Sequence, residues 1–362
     1  QFMGQGEFTL NFGNYKVAIT APNDIVVGAG GELLNPNQVM TATQLKRWEQ
    51  AKTATRPVAI VNQEEAIAAE KSVPTGKKTW VFKADNVRDF AFTASRKFIW
   101  DAMQVEVEGK KVWAMSYYSK EGNPLWGKYS TMVVAHTLRS YSKRTVAYPY
   151  PVAISCHATA GGGMEYPMIS FNGGRPEADG TYTENVKNGM IGVIIHEVGH
   201  NFFPMIINSD ERQWSWMDEG LNSYLELKYF EKHYPNHTLG DLVGNWADWL
   251  SGDDKQKMRS YYYWTYMIQA SRRLDQPLNL PADAYTDDNY AEIVYSKSAI
   301  IFRYMQEYLG EDIMKEIIQT YFNRYKNKHV YPEDFWNVAE EVSGKKLNWM
   351  YEDLFSTKKL FL

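Results

Sequence analysis

His196, Glu197 and His200 stand together as His-Glu-Val-Gly-His, and Glu219 follows after eighteen intervening residues. On a helix, positions four apart share one face and lie about 6 Å apart along the axis. Both imidazoles can therefore reach one ion, with Zn–N distances near roughly 2.0–2.1 Å. Glu197 projects elsewhere on the helix and is left to hold a water on that ion. Two His and one carboxylate, Glu219, leave the fourth position of zinc open. That is the arrangement of a catalytic site and not of a structural one.

These side chains need two helices to position them. The stretch 189–203 is apolar on nearly every face and predicts a buried helix over 185–203. Two His and a Glu buried there without partners would be costly, and a metal removes that cost. Gly199, a weak helix residue, permits close packing beside the second ligand. Leu221, Tyr224, Leu225 and Lys228 mark a second helix over 214–233, with Glu219 near its start. Alone, Glu219 is an ordinary first-turn carboxylate favoured by the helix dipole. Paired with the His-Glu helix, it reads as the third ligand. Asp218 and Glu226 are both placed to orient a ligand imidazole, and spacing does not choose between them.

The rest of the chain divides into a β-rich front and a helical back. Residues 7–28 alternate like strands until Gly28, Gly30, Gly31 and Pro36 break the pattern. That glycine-rich stretch lacks the partners of a phosphate loop. A helix opened by Thr41 or Thr43 is expected over 43–53. Strands are expected at 57–61, 78–84 and 89–94, the first two separated by a polar stretch with Pro74 and Gly76. A hairpin around Gly109 joins strands 103–107 and 111–118, and Pro124 opens a helix to about 143. Strands at 151–157 and 166–171 precede helices at 185–203, 214–233, 256–273, 290–309, 311–325, 332–342 and 347–354. The whole reads as an α+β protein.

Composition closes off several classes. The net charge is −4 and no basic tract occurs, which argues against a nucleic-acid partner. Cys156 is the single cysteine, so neither an intrachain disulfide nor cysteine-bound zinc is possible. No apolar run approaches the roughly eighteen residues of a membrane span. Gln1-Phe2-Met3 is not a natural start, so a fragment or a processed form is expected. Compartment and oligomeric state are not written in the sequence. Aromatic residues make up 15%, a share expected to go mainly into packing.

Read with their neighbours, the four metal-site residues resemble the aminopeptidase N-like metallopeptidases, gluzincins with a thermolysin-like catalytic domain. Gly162-Gly-Met-Glu-Tyr166 is similar to that family's Gly-x-Met-Glu-Asn signature, and Gly162 lies 34 positions before His196. Tyr295-Ser-Lys297 is similar to its Tyr-x-Lys. Tyr331 to Trp336 and Leu347-Asn-Trp349 resemble the end of its catalytic domain. The departures are Tyr166 for Asn, Asn201-Phe-Phe-Pro204 for Gln-Trp-x-Gly, and Ser298 for Gly.

The resemblance implies a thermolysin-like catalytic domain over 102–362, a small mixed sheet followed by a mainly helical subdomain. Residues 1–101 are then the latter part of an N-terminal β domain, and the family's C-terminal helical domain is absent. It implies one zinc ion, Zn2+, held by His196, His200 and Glu219, with Glu197 as general base and Tyr295 as donor to an oxyanion. It also implies that Glu165, with the backbone of Gly162 and Gly163, receives the free N-terminus of a peptide substrate. Without the resemblance, Tyr295 is one of 25 tyrosines, Glu165 an edge-strand carboxylate in solvent and the glycines a turn. The expectation is a zinc aminopeptidase. An endopeptidase of the same fold and a non-catalytic peptide-binding domain are the alternatives. Of the remaining histidines, His157 sits at a strand end near Glu165, while His136, His233, His237 and His329 read as surface or mid-helix residues.

Overall fold

In a computed structural model, residues 8–158, 162–244 and 256–358 are described. They fall into two compact units. One comprises 12–143 with 147–201, and the other comprises 1–11, 144–146 and 202–362. Asp101 lies inside a strand of the first unit.

The first unit is β-rich. Its strands are β1 (Gly13–Pro22), β2 (Val26–Ala29), β3 (Glu32–Leu33), β4 (Val58–Val61), β5 (Lys77–Val87) and β6 (Phe92–Ser95). After them come β7 (Ile99–Val107), β8 (Lys110–Tyr118), β9 (Val152–His157), β10 (Gly163–Tyr166) and β11 (Ile169–Asn172). A six-stranded sheet runs β10-β11-β9-β8-β7-β4. Its β8–β9 and β9–β11 pairs are parallel and the rest antiparallel, so the sheet is mixed. β1 and β3 flank β5 in a second sheet, and β2 pairs with β6.

Local chemistry explains the helices between these strands. Thr41 opens the helix Ala42–Ala51 through a reciprocal capping box with Gln44. Asn62 does the same with Glu65 for the helix Gln63–Glu70, within the polar stretch between the two expected strands. The expected strand 166–171 is instead two strands, because Pro167 offers no N–H and Met168 turns the chain at φ 66°. Trp48 stacks on Trp113 at 3.8 Å and meets Trp100 at 5.3 Å, which places aromatic bulk in this core.

The second unit is mainly helical, with helices Glu219–His233, Leu239–Val243, Ser260–Ser271, Ser298–Leu309, Glu311–Tyr325 and Pro332–Ser343. Two short strands not expected from sequence, β12 (Ile207–Ser209) and β13 (Lys328–Val330), pair in parallel. The segments Tyr290–Lys297 and Met350–Phe355 are π-helical where ordinary helix was expected. Trp216, Phe302, Phe335 and Phe355 meet edge-on or tilted, with Trp216 and Phe355 at 4.9 Å and Phe302 and Phe335 at 5.5 Å. Among the described residues no helix is long and apolar enough to cross a membrane.

Candidate active site

In the first unit, the helix Glu184–Gly199 carries the His-Glu motif. Thr183 caps it by accepting from the Val186 N–H at 3.3 Å, and Glu184 suits the positive end of the dipole. The helix was expected to reach 203 and ends at Gly199, with Asn201, Phe202 and Phe203 in the turn before Pro204. Proline at 204 disfavours helical backbone at 203. The helix packs against β9, β10 and β11. Glu197 and His200 are buried and His196 is half-buried.

The two imidazoles converge. His196 Nε2 and His200 Nε2 stand 3.0 Å apart, their rings nearly perpendicular at 85°. Two ring nitrogens this close on one helix face form a donor pair suited to a shared cation, with zinc the usual guest of imidazole and carboxylate ligands.

The strand β10 runs beside the same helix. A Cβ on Gly163 would fall 2.2 Å from Glu197 Oε1, so only glycine fits there without moving the carboxylate. Gly162 adopts φ +84°, and its carbonyl accepts from the Gly173 N–H at 2.7 Å. Glu165, two residues along β10 and paired with Ser170, is buried and not solvated. β10 ends the order of the sheet, which leaves one side of its backbone without a neighbouring strand among the described residues.

Asn201 was read from sequence only as a departure from a family pattern. Its Oδ1 accepts from the Met168 N–H at 2.8 Å and the Tyr148 hydroxyl at 3.0 Å. Its Nδ2 donates to the Val198 carbonyl at 3.1 Å. The residue after His200 thus ties the end of the helix to the turn that joins β10 to β11. No spacing rule could have found this, because its partners lie 33 and 53 positions away.

His157, at the end of β9, packs against Trp126 with ring centroids 4.8 Å apart. Burial, and then Arg175, push its pKa down to about 4 against the pull of Glu121, so it is neutral at neutral pH. His136 and His329 are exposed, and His233 and His237 pack on Tyr229 and Tyr234.

In the second unit, Glu219 is the first residue of its helix, entered by the turn Ser215–Met217 and not by a helix from 214. It is buried, and it accepts a short hydrogen bond from the Tyr295 hydroxyl. Gly220 makes this approach possible, since a Cβ there would fall 2.5 Å from Ser298 Cβ. Asp218 is buried beside Glu219, whereas Glu226 accepts from the Tyr262 hydroxyl at 3.0 Å.

One unit thus holds a buried glutamate beside converging imidazoles and an edge strand, and the other holds a tyrosine bonded to a buried glutamate. The chain belongs to peptidase family M1, whose domain matches residues 129–354. It is 23% identical over 235 residues to "Aminopeptidase 2" of Candida albicans, covering 63% of this chain and 24% of that protein. It is 22% identical over 263 residues to "Aminopeptidase M1-C" of Oryza sativa subsp. japonica, covering 70% of this chain and 27% of that protein. The chain therefore spans about a quarter of the length of these curated relatives. An M1 zinc metallopeptidase from Deinococcus radiodurans shares the fold at TM-score 0.66 and 14% identity, over 98% of this chain and 66% of that one.

Proposed function

We propose that the chain is a zinc aminopeptidase, hydrolysing the N-terminal bond of peptides, with one ion held by His196, His200 and Glu219. The observation that carries this reading is the convergence of His196 Nε2 and His200 Nε2 at 3.0 Å beside the buried Glu197. Such a donor pair fits zinc, and relatives bearing the name aminopeptidase support the reaction. The zinc metallopeptidase from Deinococcus radiodurans has also been solved, as a mutant, bound to a Tyr-Ser-Ala substrate.

When bound, zinc polarises the scissile carbonyl and acidifies water. Glu197 takes the proton from the attacking water and returns it to the leaving amine. Tyr295 turns its hydroxyl toward the oxyanion that develops on the carbonyl, a role worth roughly 2.7–4 kcal/mol where measured elsewhere. Glu165 accepts from the substrate α-ammonium as a charge-assisted partner. The bare backbone of Gly162 and Gly163 lets the peptide lie close along β10, in the manner of an added strand.

The test combines metal analysis with a fluorogenic aminoacyl panel, with and without chelator. One zinc per chain and chelator-sensitive release of the fluorophore are expected. Equal rates on free and N-acetylated peptides would overturn the exopeptidase role and favour endopeptidase cleavage. Zinc binding with no cleavage of any peptide would favour a binding domain.

A further inference from the structure

We propose that Lys297 is a positioning residue for Tyr295, fastening the π-helical segment Tyr290–Lys297 to the Thr357 carbonyl. The proposal rests on the aminopeptidase reading for the role of Tyr295. Its geometry lies wholly within the helical unit.

Lys297 is 0% exposed, and its Nζ donates to the Thr357 carbonyl at 3.1 Å. The same Nζ lies 5.8 Å from the centre of the Tyr266 ring. A lysine buried this completely is expensive unless it is paired. Burial pushes its pKa down to about 8, opposed by Asp275 and aided by Lys358, so the ammonium persists at neutral pH. The buried ammonium thus holds a carbonyl 60 residues away.

The fastening acts beside Tyr295. Ser296 Oγ and Thr265 Oγ1 are 2.6 Å apart, which ties the next residue to the helix Ser260–Ser271. On the other side, the Val294 carbonyl lies 3.3 Å from where a Gly220 Cβ would be. The side chains of Ser296 and Lys297 are therefore bonded to neighbouring segments, Val294 lies close to Gly220, and the Tyr295 side chain between them bonds Glu219. A π-helical turn is rarer than an α-helical one and is frequently found at functional sites. Without the Lys297 anchor, this segment is free to rewind, and rewinding rotates Tyr295 away from Glu219.

The test is a double-mutant cycle on the full chain, pairing Lys297→Met with Tyr295→Phe. Lys297→Met should lower kcat about 10- to 100-fold, with KM and zinc content little changed. In the Tyr295→Phe background the same change should cost less than about twofold, because two residues acting as a unit are non-additive. Equal losses in both backgrounds would overturn the proposal. Hydrogen–deuterium exchange over 290–297 should rise in Lys297→Met while exchange over 314–325 stays constant. Exchange over 290–297 equal to wild type would overturn the anchor even if no peptidase activity is found, and that inactivity would count against the aminopeptidase reading alone. If Lys297→Met does not fold, Lys297→Gln carries the same readouts with smaller changes, and its failure to move any of them would also overturn the proposal.

Discussion

At Gly163 the functional feature is a missing atom. The Glu197 carboxylate occupies the space a Cβ would need, so its position depends on a glycine 34 residues upstream. Gly163→Ala should displace Glu197 and lower kcat about 10-fold or more, since small misplacements at a reacting centre cost this much. Zinc content, checked by metal analysis of the purified variant, should be unchanged. Glu197→Gln keeps the shape and loses the base, so it should abolish turnover while zinc stays bound. His196→Ala should lose the zinc itself. Near-normal turnover by Glu197→Gln would remove the base from the mechanism. The His-Glu motif was legible from local spacing alone. Gly163 was legible only as a glycine that permits close approach, because the group approaching it comes from a distant helix.

At the scale of elements, two contacts decide how strands and helices are held. Gly220 opens the Glu219 helix beside Ser298, where a methyl group would fall 2.5 Å from Ser298 Cβ. Gly220→Ala should destabilise the protein by about 1–3 kcal/mol, the usual cost of overpacking. Ser298→Gly in the same chain should recover part of that, read from the urea midpoint. The hairpin of β7 and β8 holds the other contact. Asp101 on β7 is buried and accepts a short hydrogen bond from Tyr118 on β8. Burial pushes the Asp101 carboxyl up to about 6, with the Tyr118 bond opposing, so ionisation costs more in the folded chain than in the unfolded one. The stability from this group is complete below about pH 4 and is lost as the pH rises through about 6. Asp101→Asn should therefore gain on wild type by up to about 3 kcal/mol between pH 4 and pH 8. A constant difference in urea midpoints across that range would refute it. Strand periodicity predicted this hairpin from residues alone, yet it had no means of showing that Asp101 is buried.

At the scale of the whole molecule, aromatic clusters pack both units among the described residues. The Trp48, Trp100 and Trp113 cluster fills the β-rich unit, and Trp216, Phe302, Phe335 and Phe355 fill the helical one. Each ring pair adds roughly 0.5–1.5 kcal/mol beyond the area it buries. Zinc bound only by the folded chain adds stability by mass action. Chelation should therefore lower the melting temperature as well as activity, and re-added zinc should restore both. A melting temperature indifferent to chelator would argue against a site formed by folding.

The sequence by itself determined the His-Glu motif and most of the helices. His196 and His200 are spaced for one helical face, and apolar periodicity places most helices of the back half to within a few residues. These signals are local, carried by repeats of about 3.6 or 2 residues and by turn-forming side chains. Only the tertiary structure decided which glycines must be glycines, that Asn201 pins the helix end to the β10–β11 turn, and that Lys297 is buried. It also decided that residues 290–297 wind as a π-helix. Each of these depends on partners tens of positions away in the chain, and such meetings are set by how elements pack and not by any pattern within them.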